Sequence, residues 1–297
     1  MTGIYLKLIA SAALWGGTWV AGRYLGRTMS PFPAAFARFA LASAFLVFLT
    51  ARLEGGLPRL TRANFPWLFA LAATGIFAYN ALFFAGLRTV PAGRAALIAA
   101  AIPAVVALCS AAIFRERFGL LKAGGVALSF FGVVLIVGDG DPGRLLSQRL
   151  STGDLYIFGC VLAWAAYTLV GKKAMERVAP YGAVAWSCIL GAAMLLPPAL
   201  ATGLVREAAA AGPAAWACLL FFGVLATGFG FSWYYEGVKA IGPTRAGVFI
   251  NLVPVTAVLL GWLLLGEPLS ADLIRGGMCV LAGVWLTNRR PRSLESR

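Results

Sequence analysis

Long uncharged apolar runs dominate this chain, and their length limits what it can fold into. A helix needs about 20 mainly apolar residues to cross roughly 30 Å of hydrocarbon. Ten stretches of the 297-residue sequence reach about this length when it is divided at charged residues and at proline and glycine. The sequence therefore predicts an all-α membrane protein with ten transmembrane helices, at 4–25, 32–51, 64–86, 93–114, 119–138, 153–172, 180–202, 213–236, 244–265 and 271–288.

Composition supports this class and excludes several functions. Hydrophobic residues make up 61% of the chain and charged residues 12%, against about half and a quarter in a soluble domain. There is no histidine, which excludes a Ser-His-Asp triad, an HExxH zinc site and histidine-ligated haem. The net charge of +14 is spread over predicted helix ends, so nucleic-acid binding is not expected.

The sequence motifs do not indicate ATP-driven transport or the binding of a cofactor. The one GxGxxG match, Gly138 to Gly143, contains a proline and follows a predicted membrane helix, whereas a dinucleotide fingerprint follows a strand. No GxxxxGK[ST] sequence occurs. The five cysteines are widely spaced within apolar runs and are expected to be core residues. We therefore expect no cofactor and no metal.

Basic residues predict the orientation of the chain in the membrane. With the N-terminus in the cytoplasm, sixteen of the 25 Lys and Arg residues fall on the inner side and eight on the outer side, with Arg38 inside a span. Inner loops carry the excess of positive charge in membrane proteins. Both termini are therefore predicted to be cytoplasmic, in a multi-pass protein of a bacterial-type inner (plasma) membrane.

The chain also repeats itself. At an offset of 151, Pro103 falls on Pro254 and Glu116 on Glu267, and at an offset of 149 Trp15 falls on Trp164. Five spans per copy is an odd number, so the second copy must enter the membrane from the opposite side. This predicts two inverted five-helix repeats at 1–140 and 153–288, an extracellular connection at 141–152 and a basic cytoplasmic tail at 289–297. Inverted repeats favour a transporter with a substrate site near the midplane.

Several short motifs carry a family resemblance over nearly the whole chain. They are Trp15-Gly16-Gly17-Thr18, Arg38-Phe39, the run from Ala163 to Tyr167, and the blocks from Pro103 to Glu116 and from Pro254 to Glu267. Together they resemble the EamA-type branch of the drug/metabolite transporter superfamily. The resemblance implies a ten-helix carrier for small metabolites, commonly an exporter, without ATP hydrolysis. Members that export amino acids, including aromatic ones, are similar in size and layout.

Arg38 is the most unusual residue inside a span. It lies about seven positions into the second span, where a guanidinium costs about 2.5–3.5 kcal/mol on insertion scales. One interpretation is a donor to a substrate carboxylate, which suits the planar fork. The other is a structural role, in which the side chain reaches the interface or binds backbone carbonyls between helices.

Two glutamates occupy equivalent places in the repeats. Glu116 and Glu267 each follow the fourth span of a copy and precede the next helix. A carboxylate there can cap a helix N-terminus, and a gating or proton-coupling role is the alternative. Pro103 and Pro254 are expected to kink their helices, because proline removes a backbone hydrogen bond.

Polar and aromatic residues within the spans are the candidates for substrate contact. Amides are expensive in hydrocarbon when unpaired, and large rings supply stacking surfaces, although packing or an interhelical hydrogen bond is the alternative for each. The candidates, with Arg38, are Tyr79, Asn80, Trp164, Tyr167, Trp186, Phe249 and Asn251.

The sequence therefore favours an exporter of amino acids and related small metabolites that works by alternating access, with a small molecule and the lipid bilayer as partners. A sugar-phosphate, nucleotide-sugar or drug carrier of the same superfamily is the alternative, although phosphate would favour two or more buried cations. A second alternative is an integral-membrane transferase using Asp139 and Asp141. The sequence gives no oligomeric state.

The predicted orientation can be tested by labelling. A single cysteine replacing Ser147, in a cysteine-free background, should react with an impermeant maleimide added from the periplasmic side, because the 141–152 connection is predicted to be outside. Labelling that requires opening of the cytoplasmic face would contradict this topology.

Overall fold

The computed structural model of the protein describes residues 2–114, 119–141, 150–174, 176–241 and 249–288. Within these residues every regular element is a helix. Three of the helices begin at a proline, which suits a first turn because the missing N–H has no partner there. Glu116, residues 142–149 of the predicted connection and the predicted tail at 289–297 lie outside the described residues.

The helices follow the order of the predicted spans. The first half contains α1 (Thr2–Thr28), α2 (Pro31–Leu53), α3 (Phe65–Leu71, Ala72–Ala78 and Tyr79–Leu87 without interruption), α4 (Ala92–Ala99 and Ile102–Phe114) and α5 (Leu120–Val137). The second contains α6 (Thr152–Ala174), α7 (Pro180–Ala201), α8 (Leu204–Ala210), α9 (Pro213–Leu220, Phe221–Phe229 and Gly230–Ile241), α10 (Leu252–Leu265, after a 3-10 turn at Phe249–Asn251) and α11 (Ala271–Asn288).

Seven of the described helices are long and apolar enough to cross a membrane, and the number rises to eight if α8 and the first part of α9 form one bent span. The bend between those two segments is 111°. The apolar segment Phe249–Leu265 is shorter, and α11 carries Asp272 and Arg275 near its start. The multi-pass helical class is therefore observed, while the count of ten spans stays a prediction.

Helices α2 and α7 pack along each other and exchange caps. Glu54, just after α2, accepts hydrogen bonds from the backbone N–H groups of Tyr181 at 3.4 Å and Gly182 at 3.0 Å in the first turn of α7. Glu207, in α8 after α7, accepts from Ser30 N–H at 2.7 Å and Ser30 Oγ–H at 2.6 Å at the start of α2. A carboxylate satisfies free N–H groups and suits the helix dipole. Each helix is thus capped by a residue that follows the other.

Helices α5 and α11 touch backbone to backbone through glycine. A Cβ on Gly132 would lie 2.5 Å from the carbonyl oxygen of Gly276, and a Cβ on Gly276 would lie 2.8 Å from that of Gly132. Gly125 faces Thr287, and Gly283 faces the backbone N–H of Ser129, in the same way. Helices pack this closely only where small residues meet, which maximises van der Waals contact in the absence of a hydrophobic force between helices.

Helix partners repeat between the halves. α1 packs against α9 and α10, as α6 packs against α3 and α4, while α2 pairs with α7 and α5 with α11. Exchanging the first half for the second leaves these pairings unchanged. Both α3 and α9 also contain a π-helical stretch, at Ala72–Ala78 and Phe221–Phe229.

The glycine contact between α5 and α11 can be tested with neighbouring residues. Gly125→Ala should lower the free energy of unfolding by about 1–3 kcal/mol, because the new methyl group would lie 2.6 Å from the backbone nitrogen of Thr287. The control is Gly124→Ala, whose Cβ would meet Leu286 alone at 4.0 Å. Thermal unfolding in detergent should show a lower midpoint for the first variant and an unchanged midpoint for the second. Equal midpoints would contradict this packing.

Candidate functional site

A hydrogen-bonded chain joins α2 to the π stretch of α3. Nη1–H of Arg38 donates to Oδ1 of Asn80 at 2.8 Å. Nδ2 of Asn80 donates to the carbonyl oxygens of Ile76 at 2.8 Å and Gly75 at 3.2 Å. Both carbonyls belong to the π-helical stretch Ala72–Ala78. These carbonyls orient the buried amide so that its oxygen faces the guanidinium.

The guanidinium of Arg38 lies between aromatic rings. Its Cζ is 4.7 Å from the ring centre of Phe39 and 4.2 Å from that of Phe222, which lies in the π stretch of α9. Both distances are within the range of cation–π attraction. Nε of Arg38 is buried and has no hydrogen-bond partner among the described residues. The ion pairs of that part of the chain also leave Arg38 without a carboxylate.

Aromatic residues of α3 and α6 form a continuous set of rings beside Asn80. Tyr79 and Trp164 are 5.0 Å apart between ring centres, and Trp164 and Tyr167 are 5.1 Å apart. Tyr79 also stacks on Phe83 at 5.7 Å. The ring of Tyr167 fills the space where Gly75 has no side chain, which is why a glycine is needed there. The structure therefore brings together five of the sequence-predicted residues, namely Arg38, Tyr79, Asn80, Trp164 and Tyr167.

The repeat supplies a counterpart to this aromatic contact, between α1 of the first half and α9 of the second. Trp15, which matches Trp164 in the repeat, packs against Phe231 at 5.3 Å. Its Nε1–H donates to the carbonyl oxygen of Ala226 at 2.9 Å, within the π stretch of α9. Sequence reasoning did not include Trp15 among the site residues, although the offset of 149 was a signal for it. Nothing in the sequence distinguishes Phe222, the ring closest to Arg38.

Three predicted residues lie elsewhere. Trp186 donates its Nε1–H to the carbonyl oxygen of Pro58 at 2.8 Å, and it packs against a cluster at one end of α3, α6 and α7. Phe249 contacts the ring of Tyr5 at 5.9 Å. Asn251 stands at the start of α10 without a side-chain cap hydrogen bond. None of the contacts described for these three reaches Arg38 or Asn80, although Trp186 and Tyr167 pack against the same cluster.

Glu267 caps a helix of the other half and not the helix that follows it. Its carboxylate accepts hydrogen bonds from the N–H groups of Ala92 at 2.8 Å and Gly93 at 3.1 Å, at the start of α4. Nε of Arg23 lies 3.9 Å from this carboxylate, and Arg23 Nη1–H donates to the carbonyl oxygen of Leu87 at 2.6 Å. Glu267 thus links the loop before α11 to α1, α3 and α4.

The two prolines lie next to interruptions of regular α-helix. In α4 the α-helix is interrupted at residues 100–101, and it restarts at Ile102, next to Pro103. In the second half the 3-10 turn Phe249–Asn251 gives way to α10, whose third residue is Pro254. Each proline therefore lies in the first turn of the segment that follows a break.

Membrane-length helices around a guanidinium that has no carboxylate partner among the described residues suit a membrane carrier for small molecules, and the comparison with known families agrees. The chain belongs to the EamA-like transporter family, whose model matches it twice, at residues 2–138 and 151–289. It is a multi-pass membrane transporter and not an enzyme, which sets the transferase alternative aside.

Individual relatives cover nearly the whole chain. YyaM of Bacillus subtilis strain 168, described as an uncharacterized transporter, is 27% identical over 95% of this chain and 92% of its own length. A probable terminal-alkyne amino-acid exporter of Streptantibioticus cattleyicolor is 28% identical over 86% of this chain and 83% of its own length. One solved crystal structure covers 96% of this chain and 98% of its own, with a TM-score of 0.65 and 20% identity, which shows likeness of fold alone.

A variant of Glu267 can distinguish a helix-capping role of this residue from a role in proton coupling. Glu267→Gln should lower the free energy of unfolding by about 1–2 kcal/mol, because two N–H groups and Arg23 lose a charged acceptor. Exchange of substrate per folded molecule, and its dependence on pH, should stay unchanged. Glu176→Gln is the control, since Glu176 is exposed and its ion pair among the described residues is with Lys173. A pH profile altered in Glu267→Gln and not in the control would assign Glu267 to coupling.

Proposed function

We propose that this chain exports amino acids, including aromatic ones, and related small carboxylate metabolites. The observation that carries the proposal is the guanidinium of Arg38, which has a buried Nε without a hydrogen-bond partner and no carboxylate partner among the described residues. Its partner Asn80 directly follows Tyr79, whose ring contacts that of Trp164. A charged donor inside a membrane protein is costly unless it pairs, and a substrate carboxylate pairs with the planar fork of arginine.

The surroundings of Arg38 suit a substrate with an apolar body. Tyr79, Trp164 and Tyr167 offer ring surfaces next to Asn80. Stacking on such a ring is worth about 0.5–1.5 kcal/mol beyond the burial of area. The relative described as a probable amino-acid exporter supports the same substrate class.

The proposed architecture is two inverted five-helix repeats, at 1–140 and 153–288, joined by an extracellular connection at 141–152 and followed by a cytoplasmic tail at 289–297. Two matches to one family model and helix pairings that survive exchange of the halves support this arrangement. The excess of Lys and Arg on one side supports cytoplasmic termini in a bacterial-type plasma membrane. Alternating access would then exchange the conformations of the two repeats.

The energy source proposed for transport is the substrate's own gradient or exchange. The sequence contains no P-loop, and none of its eleven acidic residues lies near the middle of a predicted span. Counterflow in proteoliposomes should therefore proceed without ATP and without a pH difference. Uphill accumulation that follows an imposed proton gradient would contradict this.

The role of Arg38 can be tested with three variants of one helix. Arg38→Gln should reduce counterflow of L-phenylalanine by about 10- to 100-fold, because a charge-assisted hydrogen bond is worth about 1.5–3 kcal/mol. Arg38→Lys should retain part of the activity, since the charge stays and the fork is lost. Arg52→Gln should transport normally, because Arg52 lies exposed near the end of α2, over the ring of Phe48.

The same assay with a panel of substrates identifies the class. Amino acids, sugars, phosphorylated sugars and cationic drugs should be compared in wild-type protein, with monodispersity in detergent as the test of folding. Exchange of amino acids that depends on Arg38 supports the proposal. Exchange of phosphorylated compounds alone would favour the sugar-phosphate or nucleotide-sugar alternative, and equal activity of Arg38→Gln and wild type would make Arg38 structural.

A further inference from the structure

An amino acid brings a positive charge into the site as well as a negative one, and no carboxylate of the described residues is placed beside Arg38 to pair with it. The described acidic residues near helix ends already have partners on the protein. Glu54, Glu207 and Glu267 cap helices, Asp139 and Asp154 pair with Arg94, and Glu236 pairs with Lys7. A substrate ammonium near Arg38 therefore needs another kind of acceptor.

The ring faces of Tyr79 and Trp164, next to Asn80, are another kind of acceptor for a cation. Tyr79 directly precedes Asn80, the residue that holds Arg38, and its ring centre is 5.0 Å from that of Trp164. The two rings meet at 57°, so they form a corner and not a flat stack. Both are half-buried in the bundle. A cation in such a corner would be attracted by the negative face of each ring.

Two arginines of the protein make cation–π contacts, and they make them with other rings. Within the described residues, the cation–π contacts are those of Arg38 with Phe39 and Phe222, and that of Arg52 with Phe48. The guanidinium of Arg38 is thus in contact with phenylalanine rings, whereas Tyr79 and Trp164 hold no cation among the described residues. Tryptophan has the strongest ring face for a cation.

We propose that Tyr79 and Trp164 bind the amino group of the substrate as a cation through their ring faces, and that the transported class extends to N-methylated amino acids, including betaines with a trimethylammonium group. This inference rests on the proposed function, because Arg38 supplies the carboxylate end. Methylation removes the N–H donors of an ammonium and keeps its charge. Ring faces bind quaternary ammonium groups, whereas an acceptor that needs N–H donors rejects them.

The wild-type protein tests this with three ligands that share one side chain: L-phenylalanine, N,N,N-trimethyl-L-phenylalanine and 3-phenylpropanoate. Dissociation constants are measured by titration calorimetry on purified protein in detergent. The trimethylated ligand should bind within about 3-fold of phenylalanine, and 3-phenylpropanoate, which lacks the cation, should bind about 2- to 30-fold more weakly. Counterflow should give the same order.

Variants of Trp164 and a matched control variant test whether the ring pair of Tyr79 and Trp164 causes the difference between the ligands. Trp164→Leu should weaken binding of phenylalanine and of its trimethylated form more than binding of 3-phenylpropanoate, which can lose only stacking on the ring. Trp164→Phe should restore part of this difference. The control is Trp233→Leu, because Trp233 lines an apolar groove between α1, α9 and α10 with Val20 and Leu260. It should leave all three dissociation constants unchanged.

The outcomes separate this inference from the proposed function. If phenylalanine binds and the trimethylated ligand binds more than 10-fold more weakly, the amino group is read through its N–H donors; the cation–π inference is then wrong and the amino-acid proposal stands. The cation–π inference is also wrong, and the amino-acid proposal again stands, if Trp164→Leu weakens all three ligands equally. If no ligand binds wild-type protein, both proposals fail together.

Discussion

The hydrogen bond from Arg38 to Asn80 is the contact on which the centre of this protein depends. A guanidinium within a membrane span is expensive to insert, and one strong acceptor makes its position tolerable. The acceptor is itself held by two carbonyl oxygens of a π-helical stretch, so three unusual features support one another. Removing any one of them leaves the others with unsatisfied polar groups in an environment that supplies no water.

Around this centre, the two halves are joined by contacts that use few residue types. Glycine lets α5 and α11 meet at backbone distance, and glutamates at the ends of helices satisfy N–H groups of the opposite half. Such contacts add little hydrophobic energy, because lipid is as apolar as the helices. They fix the geometry of the contacts between the two halves instead.

Much of this could be predicted from the sequence, for identifiable reasons. The order of the helices follows from apolar length, and the repeat from matched residues such as Trp15 with Trp164. Arg38 and Asn80 stood out because each is costly alone in hydrocarbon. Their pairing did not, since 42 residues separate them and a π stretch has no sequence signature that we recognise.

For other residues, the residue type alone did not predict where the side chain lies or what it contacts. Trp186 resembles Trp164 in the sequence, yet its indole N–H binds the carbonyl of Pro58 in a connection between helices. Phe222 is one of 20 phenylalanines, and only the folded chain shows that it lies against Arg38. Glu267 has the capping chemistry expected of it, but its partner helix belongs to the other half and is set by tertiary contact.

The exchanged caps of α2 and α7 have a mechanical consequence. Hydrogen bonds to a carboxylate join α2 and α7 at both ends. Neither end of the pair can separate unless two of these hydrogen bonds break. The two helices would then move as one rigid unit, and the other helices would move relative to them. Arg38 lies on α2, so under the proposed alternating access its charge would keep its depth in the bilayer while access to it changes from one side of the membrane to the other.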